Sequence, residues 1–379
     1  KYLQMDLAAL RKSPLALAAA FCSAVTLHSG LVQADIVADG ATATTVDRIG
    51  GAEVVNIARP SAGGVSHNTF DRFSVGTDGA VINNSRVDGT SALAGDLAAN
   101  PNLADGTARI ILNEVTSNRR SDLNGTTELF GDNARYILAN PNGITCDGCG
   151  FIRTPTAVGD AGTRLQEVLL STAVPGLDAL DGATVRLTVD RNNTAQLIIG
   201  AGGLDASNVD ITTLLTRQAS VNGLVEALGG QLQLYAGAGE MTVADGAAAT
   251  WQPDTAAGGR DVSVAIDASA AGAMHAGQIF IRATDAGTGV SLPTDLLASG
   301  DIEITAAGDL VYRDARSQAG DVRIDTTAAG ADLASDGLTQ AAGDVVLAAD
   351  GDVQAAQLRA GGDVAVTSRS GRLTAGEVT

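Results

Sequence analysis

The feature that most constrains this chain is a recurring Gly-Asp pair. Past residue 295 it stands at Gly300-Asp301, Gly308-Asp309, Gly320-Asp321, Gly343-Asp344, Gly351-Asp352 and Gly362-Asp363. Each pair precedes a strand-like run such as Ile302-Glu303-Ile304 or Val345-Val346-Leu347. Gly300 to Gly320 is a step of 20 residues and Gly343 to Gly362 a step of 19, close to one turn of a β-solenoid. One such unit cannot bury its apolar face alone, so neighbours must stack. Glycine then supplies corner conformations and aspartate caps turns. A calcium-binding nonapeptide array would also set Gly and Asp in series, but its Gly-Gly-x-Gly-x-Asp unit is not repeated here.

Composition agrees with stacked coils. A chain of 379 residues would ordinarily make two or three globular domains. This one has 46 Gly and only 11 aromatic residues, so any core must be thin and aliphatic. Between Asp35 and Gly150, short apolar runs alternate with Gly, Asn and Asp turns: Gly79 to Asn84, Ala108 to Val115, Glu128 to Phe130, Tyr136 to Leu138. These read as strands, as do Ala183 to Val189 and Ala195 to Ile199. One helix-like window interrupts the pattern, Leu214 to Leu228, with Leu215, Ala219 and Leu228 spaced for one helical face.

Two turns share a sequence. Asn140-Pro141-Asn142-Gly143 follows the strand-like Ala134 to Leu138, and the chain resumes a strand at Ile144. Asn at the first position, Pro at the second and Gly at the fourth suit a type I turn. Asn100-Pro101-Asn102-Leu103 opens in the same way ahead of Arg109 to Asn113, so a repeated geometry is expected. Asparagines at equivalent corners of a parallel coil can stack and bond to turn backbone that would otherwise be orphaned.

At these residues the chain resembles the N-terminal secretion domain of two-partner secretion exoproteins, the group of filamentous haemagglutinin and the contact-dependent inhibition toxins. The two turns carry the resemblance together with Cys146-Asp147-Gly148-Cys149-Gly150, Asn56-Ile57-Ala58 with Gly64 to Asn68, Asn83-Asn84-Ser85, Leu123-Asn124-Gly125, Val209-Asp210 and Gly272 to Gly277. These blocks run in order over roughly residues 35 to 295. The block Gly272-Ala273-Met274-His275-Ala276-Gly277 departs from the pattern, with Ala273 in place of a second Gly and His275 in place of an aromatic, and leaves the register of that coil open.

The resemblance implies an all-β fold, a right-handed parallel β-helix with an N-terminal cap and small extra-helical β elements. Residues 35–295 would form the secretion domain and 296–379 the start of β-helical haemagglutinin-type repeats. The implied function is to export a large surface or secreted exoprotein of a Gram-negative bacterium. The implied partners are the general secretion machinery, then an outer-membrane β-barrel transporter whose periplasmic POTRA domains meet the domain largely unfolded. A host or neighbouring-cell receptor would be met by the downstream part. By this reading Asn100, Pro101, Asn102, Leu103, Asn140, Pro141, Asn142, Gly143 and Ile144 either shape corners or are recognised by the transporter. The domain itself would act as a monomer.

Residues 1–34 read as an export signal: Arg11 and Lys12 precede the apolar run from Pro14 to Leu27, and Val32-Gln33-Ala34 offers cleavage before Asp35. Spanning a bilayer takes about 20 apolar residues, more than this run supplies. What remains after Ala34 carries 21 basic and 42 acidic residues and no lysine. So acidic a surface repels phosphate and anionic lipid, which excludes nucleic acid as a partner.

Cys146 and Cys149 are the only cysteines beyond residue 34, and in an oxidising compartment they would pair. So small a ring contributes roughly 2 kcal/mol at best on chain-entropy grounds. A zinc site is disfavoured because only His67 and His275 could complete the ligands. The run Phe151 to Pro155 is not the helix a thioredoxin-like motif needs. No nucleophile, base and orienting group come together in the sequence, so no catalytic residues, metal or cofactor are expected. The competing reading is a β-helical carbohydrate-active enzyme using a carboxylate pair, although most acids here sit beside Gly at turns.

Overall fold

The computed structural model describes residues 35–156, 162–177, 182–254 and 262–379. The export segment 1–34, with Ala34 at its end, lies outside them. Among the described residues there is no α-helix, and 28 strands join one sheet that winds around a narrow core.

The winding follows from parallel pairing in strict register. On the first face, successive coils place His67, Leu112, Ile137, Leu169, Thr213, Gln233, Phe280, Glu303, Arg323, Val346 and Ala365 in one column. A second face stacks Ser121–Leu123, Ile144–Cys146, Gln196–Ile199, Gln218–Val221 and Val264–Ala268. A third stacks Ala52–Asn56, Ala80–Asn84, Thr126–Gly131, Cys149–Thr154 and Leu204–Asp205. Because side chains alternate along a strand, the neighbours of the first column point inward. Ile111, Tyr136, Val168, Leu214, Leu232, Ile279, Ile302, Val322 and Val345 accordingly belong to one continuous buried cluster.

Antiparallel strands close the N-terminal end. Asp35–Ala38 pairs with Val65–Ser74, and Thr45–Ile49 pairs with Ala52–Asn56. They occupy edges that would otherwise invite pairing with another chain. Two insertions leave the helix and meet again as a four-stranded antiparallel sheet, in the order Val174–Leu177, Thr184–Val189, Gly239–Ala244, Thr250–Pro253. They explain the long steps of 44 residues from Leu169 to Thr213 and 47 from Gln233 to Phe280. Later steps are 20 from Glu303 to Arg323 and 19 from Val346 to Ala365.

The helix-like window at Leu214 to Leu228 is strand, divided among Val209–Thr216, Gln218–Val221 and Leu224–Ala236. Leu165–Ser171 presents a row of backbone groups on one side, and a strand there, here the parallel Val209–Thr216, satisfies them where a helix could not. Leu214 and Leu215 are both buried, one in the central core and one under the extra sheet, while Leu228 is 47% exposed. A single helical face could not serve all three. In the divergent block, Met274 and Ala276 point inward and Ala273 and His275 outward. Ala273 lies beside Leu224, which fixes the register.

Candidate functional site

Each Asn-Pro-Asn turn is built by its first asparagine. Asn140 Oδ1 accepts the Asn142 N–H at 2.9 Å, and the Gly143 N–H donates to the Asn140 carbonyl at 3.0 Å. Asn100 repeats this, with 3.0 Å from the Asn102 N–H and 3.2 Å from the Leu103 N–H. Proline between them presets φ and has no N–H to leave unsatisfied.

The repeat is local and does not mark equivalent corners. Asn140 joins the first face to the second, between Arg135–Ala139 and Ile144–Cys146. Asn100 follows the third-face strand Ala80–Asn84 and leads into Ile110–Val115 of the first. The two cannot stack, because different strands flank them. What they share is a downward grip. Asn140 Nδ2 donates to the Arg119 carbonyl and Ser121 Oγ, both at 2.9 Å. Asn100 Nδ2 donates to the Ile57 and Asn83 carbonyls at 3.0 and 2.9 Å. Asn102 Nδ2 reaches the Ala43 and Ile57 carbonyls, and Asn142 Nδ2 the Ser117 carbonyl at 2.7 Å. Asn100 is 3% exposed and Asn140 not at all, so the folded protein hides both side chains.

The fourth positions diverge for structural reasons. Leu103 ends a one-turn 3₁₀ helix, Pro101–Leu103, and is buried in the core. Gly143 holds φ +112°, and a Cβ there would overlap the guanidinium of Arg120. That guanidinium donates to the Asn142 carbonyl, to Thr145 Oγ1 and to the Gln196 carbonyl, tying three coils together. Arg120 was not legible in the sequence because its partners are set by coil register alone. Ile144 then turns fully inward.

Cys146 and Cys149 form a disulfide at the next corner, both buried. Between them, Asp147 accepts the Gly202 N–H of the following coil at 2.5 Å. His67 pairs with Glu114, Nε2 to Oε2 at 2.7 Å, on the partly exposed outer side of its strand. Among the described residues no three His, Cys, Asp or Glu side chains converge as metal ligands.

The abundant carboxylates have structural work. Asp301, Asp321 and Asp344 each accept, through Oδ1, the N–H of Asp321, Asp344 and Asp363 respectively, at 2.8, 2.7 and 2.9 Å. At another corner Asp309, Asp332 and Asp352 accept the N–H of Asp332, Asp352 and Arg372. The Gly-Asp pairs of the sequence therefore form two columns. Bonding to the Asp344 N–H, with Arg323 nearby, holds the Asp321 carboxyl below its ordinary pKa. One charged pair is deeply buried. Arg135 and Glu167 are 3% and 2% exposed at their side chains, and Arg135 Nε donates to Glu167 Oε2 at 2.6 Å. Arg135 also reaches the Ala244 and Ala247 carbonyls of the extra sheet. Burial pushes the Glu167 carboxyl up despite the guanidinium beside it.

Taken together these features define a capped, extended β-solenoid whose polar side chains are committed to holding one coil on the next. A family model described as the TPS secretion domain matches residues 34–312. The chain is 38% identical over 290 residues to "Toxin CdiA" of Escherichia coli, covering 76% of this chain and 8% of that protein. It is 36% identical over 257 residues to "Hemolysin" of Proteus mirabilis, covering 68% of this chain and 15% of the relative. The crystal structure of the filamentous hemagglutinin secretion domain superposes with a TM-score of 0.67 at 30% identity, covering 87% of this chain and 99% of that one. The chain belongs to the TPS secretion domain family, and its function is that of the secretion module of such exoproteins. It spans only 8 to 15% of these curated relatives, and the family model it matches describes a secretion domain rather than a catalytic one.

Proposed function

We propose that this chain carries a large exoprotein across the outer membrane by being read unfolded and then folding outside. After export through the general secretion route and cleavage between Ala34 and Asp35, POTRA domains of a dedicated outer-membrane β-barrel transporter take up the domain as an extended chain. Coil-by-coil folding at the cell surface then makes the passage directional. The module occupies residues 35–295, and 296–379 begin the repeats of the exoprotein shaft. The distal part acts as an adhesin, haemolysin or toxin on a host or neighbouring cell, and the product is a secreted or surface protein of a Gram-negative bacterium.

The observation that carries this reading is the burial of Asn100 and Asn140, whose Oδ1 and Nδ2 atoms are all engaged by the chain's own backbone and Ser121. If a transporter reads Asn100 to Leu103 and Asn140 to Ile144, it does so before folding; afterwards the same residues fix corners. The test is secretion of residues 1–379 with and without the transporter, in wild type and Asn142→Ala. Release that depends on the transporter and falls in the variant supports the proposal. Release without the transporter, or retention as folded protein in the periplasm, rejects it.

A further inference from the structure

The N-terminal cap contains a buried acid that lacks a partner. Glu53, on Ala52–Asn56, is 8% exposed. Its Oε1 accepts the Ile36 N–H at 3.2 Å. Its Oε2 is buried and has no hydrogen-bond partner. An unpaired buried carboxylate oxygen is costly, and no arginine among the described residues bonds it. Arg48, directly across the strand pair from Glu53, bonds Asp78 at 3.2 Å. Arg72, on Val65–Ser74, is paired with the Asp35 carboxylate and lies near Asp71. Burial raises the Glu53 pKa, the Ile36 N–H bond and Arg48 work against it, and the Asp35 carboxylate adds negative charge that raises it again.

The nitrogen of residue 35 is one residue from the Ile36 N–H, within about 4 Å along the backbone. As a peptide N–H it has a single donor, directed by the strand. As a free α-ammonium it has three donors and a positive charge.

We infer that Glu53 is a binding site for the chain's own α-ammonium, created when cleavage after Ala34 frees Asp35, so that processing completes and locks the cap. The inference rests on the cleavage reading above. Ammonium and carboxylate together satisfy Oε2 and offset the Asp35 charge, which makes cap closure follow signal removal.

The test uses the absence of lysine among residues 35–379: in a secreted protein made of those residues the α-amino group is the only primary amine. N-terminal sequencing first establishes whether Asp35 leads the chain. Its rate of acylation by an N-hydroxysuccinimide ester is then measured under native conditions, with folding checked by circular dichroism. Wild type should react about tenfold more slowly than Glu53→Gln, the consequence of roughly one unit of raised ammonium pKa. A second variant with one alanine inserted before Asp35, which keeps Glu53 but displaces the ammonium, should react as fast as Glu53→Gln. A first residue other than Asp35 overturns both the cleavage reading and the latch. Asp35 in first place with equal rates in all three proteins overturns the latch alone.

Discussion

Ile137 and Val346 occupy the same outward column of the first face, seven coils apart in one register, yet they live in different environments. Around Ile137 the strands are buried on both sides: Arg135–Ala139 has no exposed or intermediate residue. Around Val346 the pattern alternates, with Val345 and Leu347 buried and Val346 partly exposed. The four-stranded extra sheet makes the difference, since Leu112, Ile137, Leu169 and Leu215 cluster with Val185, Leu187, Met241 and Val243. A sheet covered on both faces reads as a continuous apolar run, and one with a wet face alternates. The N-terminal block is thus a two-layer structure, whereas the later coils depend on backbone ladders and aspartate caps.

Removing the charge that joins the two layers should cause the largest loss. Arg135→Met leaves Glu167 buried without its partner and frees two carbonyls of the extra sheet. Chemical denaturation should show about 3–5 kcal/mol of destabilisation, with an early change in fluorescence of Trp251, the only tryptophan, which stacks on Tyr235 at 5.9 Å. A loss under 1 kcal/mol would mean that the pair does not clamp the layers. Next, Ile137→Ala should cost about 2–4 kcal/mol, while Val346→Ala in the same column should stay within roughly 0.5–1 kcal/mol. Equal costs would erase the contrast between the regions.

Gly343→Ala tests the other region. A Cβ there would collide with the Asp321 carboxylate that caps the coil below. A loss of about 1–3 kcal/mol is expected, read as faster hydrogen exchange in Val322–Thr326 and Val345–Ala349. Unchanged exchange would show that the carboxylate simply swings aside.

The smallest effect is in pH, and the two regions have opposite signs. Asp321 has a lowered folded pKa, so its contribution is present above the unfolded value near 4 and is lost as pH falls through the folded value. Glu167 has a raised folded pKa, so its contribution is greatest below the unfolded value and declines as pH rises through the folded one. Hydrogen exchange between pH 5 and 3 should therefore show protection falling in Ile302–Thr326 while Arg135–Ser171 keeps or gains it. Simultaneous loss would mean that other groups control acid stability.

Much of this was legible in advance because it is written in local chemistry. The Gly-Asp spacing gave the coil length, and Asn-Pro-Asn gave two turns of identical internal bonding. The helix-like window at Leu214 to Leu228 misled because spacing alone does not reveal that a neighbouring strand already demands a strand as its partner. The internal bonding of the two turns repeats, but their corners differ because different strands precede them, Ala80–Asn84 before Asn100 and Arg135–Ala139 before Asn140, which the turn sequences alone do not encode. Arg120, Glu53 and the Arg135–Glu167 pair carried no sequence signal, since their partners lie 17 to 112 residues away.

The sequence by itself determined that the chain would wind into stacked coils, where its turns fall and that its surface is acidic, since period, turn residues and charge are properties of short stretches. Which corner each turn occupies, which outward residues are covered, and which buried charges meet were decided only in the tertiary structure, because parallel stacking joins residues whose sequence separation varies with every insertion between coils.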